Sequence, residues 1–535
     1  MTTAAPAQVR LAELVATISL GTDLGLGQPM EHVIRQTIIA LRLADLLGLR
    51  EDERVVVYYS GLLAWVGCHT DAYEQAKWFG DDIAMKRDAM FAGEGPSDLA
   101  RFLVRRLGSG GSVVDRVRTT VSFPVGGLRW FSSILESHWK ATDALAEQLG
   151  LGDDVRRSLM ESYERWDGRG VAGRKGEDIL LTSRIVYLAD VVAAFERLGG
   201  QDAAVSMAGE RSGRQFDPAL VDLFRTNSTE VLDGLEQDSH WDVVLRSEPG
   251  LARTVPESEL DPVLAAIGDF ADLKSPYFIG HSRTVSGLAS RAAISLGLSV
   301  EEATRVRRAG LVHDLGRLGV SNGIWDKKTR LTVSERERIR THPYLTERML
   351  SFSPKLAELG AVAVAHHERL DGSGYPRSLS GIQISMPARV LAAADRYACL
   401  AEARPYRPAA DPDAAARDLR HDVRDGRLDG DAVEAVLSAA GHRVRRRRSW
   451  PADLTNREVE VLRLLARGLS NRQIAGNLVL SPKTVGAHVE HVYAKTGANN
   501  RATAGLFAMR HGLMSDFEPA PETEPTEENE PSPET

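Results

Sequence analysis

At 535 residues and 43% hydrophobic content, the chain is long enough for two to four domains with cores of their own. Its two cysteines, Cys68 and Cys399, exclude a disulfide framework, and no apolar stretch approaches the roughly 20 residues of a membrane helix. The net charge of −8 conceals an asymmetry, because residues 516–535 hold eight acids and no bases whereas residues 453–515 hold eight bases against four acids.

In chain order, Met1–Leu20 lacks the basic start and long apolar run of a signal peptide, so a cytoplasmic protein without a membrane anchor is expected. Helix-period patterning follows almost everywhere, as in the run Leu41–Gly48, and runs of β-branched alternation are absent; the predicted fold class is all-α.

The chain also carries a diverged internal repeat. The interval from His32 to Ala64 equals that from His281 to His313, and "ERWDGRG" from Glu164 mirrors "ERLDGSG" from Glu368. "RIVYLAD" ending at Asp190 mirrors "RVLAAAD" ending at Asp395, and His138 precedes Ser162 by the interval that separates His342 from His366. Residues 1–245 therefore read as a first copy and 255–440 as a second, with roughly 45 residues inserted before His138.

The second copy holds His281, the pair His313–Asp314, His342, the pair His366–His367, and Asp395. Imidazoles and carboxylates are the ligands that hold iron, manganese or zinc. An adjacent His–Asp pair either bridges two metals or binds one metal and a water. Taken singly, each histidine is more often an ordinary core or surface residue; the set is what points to metal.

"HDLGR" from His313, "HP" at His342, the eleven-residue "HHERLDGSGYP" from His366 and "RPYR" from Arg404 resemble the HD-GYP class of HD phosphohydrolases. That resemblance implies a helical domain with two divalent metal ions, iron or manganese, and hydrolysis of cyclic di-GMP to pGpG or GMP. It implies His281, His313, Asp314, His342, His366, His367 and Asp395 as metal ligands, with Asp314 bridging. Two such ions about 3.5–4 Å apart lower the pKa of a shared water and hold a phosphodiester for in-line attack. Arg317 and Arg389 are candidate phosphate or guanine contacts. Asp371, Gly374, Tyr375 and Pro376 form a turn that offers backbone approach and an aromatic face to substrate. The family's lysine after "HDxG" is here Arg317. Its three-metal members carry a glutamate where this chain has Tyr277, which favours two metals.

The first copy keeps His32, His138 and Asp190, but Ala64, Trp65, Ser162 and Tyr163 stand where four ligands would be. No catalysis is expected there; a pseudo-dimer partner or a ligand sensor is.

Residues 441–452 form a basic linker, with Arg443 and Arg445–Arg448. Beyond it Thr455–Glu458 and Ser470–Gln473 read as capping boxes, and Ser481–Pro482 as a cap with an N1 proline. The following helix aligns Val485, Val489 and Val492 on one face. Two short helices, the second with a polar and basic face, suit a major groove. The run from Leu454 resembles the LuxR-type helix-turn-helix, which implies double-stranded DNA as partner. It also implies contacts from Lys483, Thr484, Val485, His488 and Lys495, and a homodimer on two half-sites. A helical adaptor that binds protein is the alternative. Residues 516–535 read as a disordered acidic tail. Three functions compete: a cyclic di-GMP phosphodiesterase coupled to DNA binding, a transcription factor that only senses a nucleotide, and a hydrolase of another phosphoester.

Overall fold

The computed structural model describes residues 9–91, 96–108, 113–237, 239–442, 450–478, 480–511 and 513–514. The basic run Arg443–Arg448 and the tail 516–535 lie outside them. The chain divides into two compact units, Met1–Arg443 and Val444–Thr535. It is helical nearly throughout, as expected, and the strands among the described residues are β1 (Val9–Arg10) and β2 (Thr254–Val255), paired antiparallel.

In the first unit the sequence repeat returns as a repeat of structure. Helices α1 (Leu11–Gly25), α2 (His32–Leu46), α3 (Glu51–Leu62), α4 (Val113–Gln148) and α5 (Leu181–Arg211) form the scaffold of the first copy. The second copy is built on α6 (Glu257–Asp272), α7 (His281–Ser295), α8 (Val300–Val312) and α9 (Val333–Arg340). It continues with α10 (His342–Leu350), α11 (Pro354–Ala363), α12 (Met386–Ala401) and α13 (Gly430–Ala439). The inserted residues of the first copy form short helices, Ala72–Phe79, Asp82–Met90 and Pro96–Arg106, and lead into α4.

Matching details repeat down to single hydrogen bonds. Asp23 accepts from the Val33 N–H at 3.0 Å, and Asp272 from that of Ser282 at 2.9 Å, so each copy's first helix caps its second. The residue before each leading histidine is left-handed: Gly280 in the second copy, but Glu31, with φ 72°, in the first. That conformation is costly for glutamate, and its carboxylate is pinned by the His240 N–H at 2.5 Å and the Ser239 hydroxyl at 3.1 Å. Glu164 accepts from the backbone of Ala172 and Arg174, and Glu368 does the same for Arg377 and Leu379.

The two copies pack face to face with reciprocal contacts. Gly21 on α1 meets Leu318 in the turn after His313–Asp314, and a methyl at Gly21 would lie 2.7 Å from the Leu318 Cδ1. Their counterparts by the repeat are Phe270 on α6 and His69, whose rings meet edge-to-face at 4.0 Å while His69 Nε2 meets the Phe270 carbonyl at 2.6 Å. A contact repeated with its partners exchanged is the signature of a two-fold interface, here within one chain. Buried Asp82 of the insertion strengthens it, accepting from Ser321 Oγ at 2.7 Å and the Asn322 N–H at 2.8 Å, with Lys274 Nζ 3.6 Å away.

The second unit comprises α14 (Asn456–Ala466), α15 (Asn471–Leu478), α16 (Pro482–Thr496) and α17 (Arg501–Arg510). Both predicted capping boxes form, Thr455 with Glu458 and Ser470 with Gln473, and Ser481 caps α16 ahead of Pro482. Leu462, Leu465, Ile474, Val485, Val492 and Ala504 are among the residues that fill its core.

Candidate functional site

The fold carries the seven predicted ligands to one place from five segments. His281 opens α7, His313 and Asp314 close α8, and His342 opens α10; His366 and His367 follow α11, and Asp395 lies within α12. The turn after Asp314 is locked to α10: a Cβ on Gly316 would lie 2.0 Å from the His342 carbonyl, so only glycine fits. Thr346 ties the same turn, accepting from the Gly316 N–H at 2.8 Å and donating to the His313 carbonyl at 3.0 Å.

The ligand atoms fall into two groups, His281, His313, Asp314 and Asp395 in one and His342, His366 and His367 in the other. Asp314 stands between them. Its Oδ2 is 2.8 Å from His313 Nε2 and 3.4 Å from His281 Nε2; its Oδ1 is 3.3 Å from His342 Nε2 and 3.6 Å from His366 Nε2. One carboxylate oxygen per group is the arrangement of a bridge between two cations.

The histidines are oriented from behind. The Nδ1 atoms of His313, His342 and His366 face the carbonyls of Gly310, Ile339 and Ala363 at 2.8, 2.5 and 2.6 Å, which leaves each Nε2 lone pair pointing inward. His281 uses a carboxylate instead, Glu402 at 2.8 Å, and Arg404 holds that carboxylate at 2.9 Å. Glu402 escaped the sequence reading, although it lies two residues before "RPYR".

Two divalent ions fit this set. His313 Nε2 and both Asp314 oxygens are buried without an aligned hydrogen bond, despite the close approach of His313 and Arg317 to Asp314 Oδ2, and cation ligation would satisfy them. The charges of the site are coupled. Burial opposes ionisation of Asp314, but Arg317, His313 and His281 hold its carboxyl well below the ordinary range. Burial likewise works against the charged ring of His313, which Asp314 and Asp395 nonetheless raise to about 9, so a cation ligated through Nε2 would displace a proton there. Burial and the neighbouring His313 push His366 down to about 3.

Arg317 reaches this centre, with Nη2 2.6 Å from Asp314 Oδ2 and its guanidinium 4.2 Å over Phe278 and 5.5 Å from the Trp325 ring. Its Nε and Nη1 are buried without a partner, so donors remain for an anion. Tyr375 is also at the site, its ring 4.8 Å from that of His367, with Pro376 following it in the turn. Gly374 is there for close approach, since a Cβ would lie 2.4 Å from the Arg369 nitrogen. Two expectations need correction. Arg389 is occupied by Asp429 at 3.0 Å and by the carbonyls of Ile384 and Gly381, because it braces the connection between α12 and α13. Asp371 is exposed and shapes its own turn, accepting from the Ser373 N–H at 2.9 Å and hydroxyl at 2.7 Å.

In the first copy, aromatic rings fill the corresponding place. Trp65 packs on Tyr163 at 5.0 Å and Tyr187 at 6.2 Å, and His138 lies 6.0 Å from Tyr163. His32 and Asp190 survive as a buried pair at 3.1 Å, and His138 pairs with Asp71. Among the described residues, no group of three ligands forms there.

In the second unit, α16 turns Lys483, Thr484 and, in part, His488 toward solvent. Val485 does not face outward as a DNA contact would: it is fully buried with Val492 because the i, i+4, i+7 stripe is the core side of the helix. The Lys495 ammonium is held by Glu458 at 2.8 Å and the Asp453 carbonyl at 3.0 Å, so it serves first to close the module.

A close cluster of five histidines and two aspartates on an all-α scaffold, followed by a capped helix-turn-helix, defines an HD-GYP-type metal-dependent phosphohydrolase joined to a LuxR-type DNA-binding domain. Comparison agrees: residues 266–432 match the HD domain and residues 452–508 the luxR family of bacterial regulatory proteins. The chain is 33% identical over 410 residues to the 3′3′-cGAMP-specific phosphodiesterase 3 of Vibrio cholerae, covering 76% of this chain and 89% of that protein. It is 36% identical over 177 residues to the cyclic di-GMP phosphodiesterase response regulator RpfG of Xanthomonas campestris, covering 32% of this chain and 46% of that one. A solved structure of a V. cholerae cyclic GMP-AMP-specific phosphodiesterase superposes with a TM-score of 0.56 at 28% identity, covering 81% of this chain and 98% of the other. The chain thus belongs to the family of HD-domain phosphodiesterases that includes the V. cholerae enzyme. No helix among the described residues is long and apolar enough to cross a membrane.

Proposed function

We propose that the second copy hydrolyses a guanine-containing 3′,3′-linked cyclic dinucleotide, with 3′3′-cGAMP as the leading substrate, and that the second unit binds double-stranded DNA as a dimer. The observation that carries the substrate reading is the extent of similarity to the cGAMP-specific enzyme. Its 410 residues exceed the length of the catalytic copy, whereas the match to the cyclic di-GMP enzyme RpfG spans only 177. Cyclic di-GMP is the second reading, favoured by the run His366–Pro376.

Two divalent cations, iron or manganese, would be held by the two ligand groups with Asp314 shared. When bound, they polarise a phosphoryl oxygen and make water nucleophilic at neutral pH. The chain's own residues do the rest. The backbone carbonyls behind His313, His342 and His366 fix the ring orientations, and Glu402 fixes His281. Arg317 stabilises negative charge that grows on the phosphoryl oxygens, in a buried setting where such a contact is worth more than in water. Hydrolysis adds water across one P–O3′ bond and passes a proton to the released 3′ oxygen, leaving a linear dinucleotide with a 5′-phosphate. In the DNA unit, Lys483, Thr484 and His488 would meet the groove.

The test is turnover by protein purified anaerobically with iron or manganese, offered 3′3′-cGAMP and cyclic di-GMP in separate and competing assays. The proposal predicts a higher kcat/KM for 3′3′-cGAMP, abolished in the His313→Ala/Asp314→Ala double variant. Preference for cyclic di-GMP would install the second reading. Metal-loaded protein inert toward both would replace the enzyme reading with that of a nucleotide-sensing regulator.

A further inference from the structure

The ring of Tyr375 is not without partners. It is engaged by His367, 4.8 Å away with planes 34° apart, and by Arg340, whose guanidinium carbon lies 5.0 Å over the ring. Tyr375 thus links an imidazole of the ligand cluster to a guanidinium. Arg340 is the last residue of α9, and the residue before it supplies the carbonyl that fixes His342 Nδ1 at 2.5 Å. Arg340 is therefore fastened to the metal centre through both the backbone and Tyr375. Its ion partner is Glu337, at 3.2 Å, and that carboxylate is 60% exposed. Such an exposed pair is weak and readily exchanged for a better acceptor.

We propose that Arg340 determines specificity by reading a guanine base of the cyclic dinucleotide. This rests on the substrate class proposed above. A guanidinium offers parallel N–H donors in a rigid fork, and guanine presents two acceptors, O6 and N7, at matching spacing. Adenine places its N6 amino donor where guanine has O6, so one prong of the fork meets a donor. Contact with the Tyr375 ring restrains the guanidinium, so part of the cost of ordering the fork is met before substrate arrives. The scissile phosphodiester lies at Asp314 and the histidines while one base extends past Tyr375 to Arg340.

The experiment is steady-state kinetics of the full-length, metal-loaded chain and its Arg340→Ala and Arg340→Lys variants. The substrates are 3′3′-cGAMP, cyclic di-GMP, cyclic di-AMP and bis(p-nitrophenyl) phosphate, which reports on the metal centre alone. For Arg340→Ala the proposal predicts KM raised about tenfold or more for the guanine substrates, in line with one bidentate base contact. It predicts kcat within about twofold and unchanged bis(p-nitrophenyl) phosphate hydrolysis. Lysine, with charge but no fork, should restore less than half of the lost selectivity over cyclic di-AMP. Unchanged KM for the guanine substrates, an equal rise for cyclic di-AMP, or a parallel loss with bis(p-nitrophenyl) phosphate would each overturn it. Wild-type protein that cleaves bis(p-nitrophenyl) phosphate but no cyclic dinucleotide would instead remove the substrate class, a failure recognisable without any variant.

Discussion

Asp314 and Arg317, three residues apart, hold opposite charges 2.6 Å apart in a buried pocket. In the proposed mechanism the carboxylate organises the metal ligands and the arginine faces the anion, so their variants should fail differently. Arg317→Ala should keep its metal content and lose about 100-fold in kcat, the scale of one removed donor to a developing oxyanion. Arg317→Lys, which restores the family's usual residue, should stay within about tenfold of wild type. Metal analysis beside single-turnover rates separates the two effects, and loss of metal from Arg317→Ala would show that the arginine supports the ligands instead.

At the scale of elements, what was legible in the sequence was whatever local chemistry decides. Caps at Thr455, Ser470 and Ser481 announced helices because they depend on neighbours a few residues away, and the histidines and aspartates announced a metal cluster as a set, through motifs shared with a known family. Val485 was misjudged because facing a groove and facing a core use the same helix, and only packing assigns the sides. Arg389 was misjudged for a similar reason, since Asp429 is 40 residues distant. Glu402 and Arg340 were missed because the contact of the one and the role proposed for the other are set across elements. The α16 assignment makes a prediction. Val485→Ala should destabilise the DNA unit by about 2 kcal/mol through lost burial and cavity formation, whereas Lys483→Ala should leave its Tm unchanged and weaken DNA binding. Thermal melts and fluorescence anisotropy on the same variants check both; a stable Val485→Ala protein with weak DNA binding would return Val485 to the interface.

The whole first unit is held by its internal two-fold seam, and His69 gives that seam a pH dependence. Burial outweighs the two carbonyls that favour the charged ring and pushes its pKa down to about 3. A depressed folded pKa means that the unfolded chain takes up the proton first as pH falls. His69 therefore contributes its full stability above about pH 6.5 and loses it progressively from there toward pH 3, at about 1.4 kcal/mol per pH unit. Denaturant melts from pH 7.5 to 5 should show that slope in wild type and a shallower one in His69→Asn; equal slopes would place the charge-sensitive contact elsewhere.

The same seam joins one copy with a complete ligand set to one whose site is filled by Trp65, Tyr163 and Tyr187. That asymmetry is the central claim, and the most direct measurement of it is metal stoichiometry with turnover in three proteins: wild type, Asp314→Ala and Asp190→Ala. The proposed function predicts about two metals per chain in wild type, loss of both metal and hydrolysis in Asp314→Ala, and retention of both in Asp190→Ala. Metal or activity lost from Asp190→Ala while the fold persists would contradict it, and would place working chemistry in the first copy.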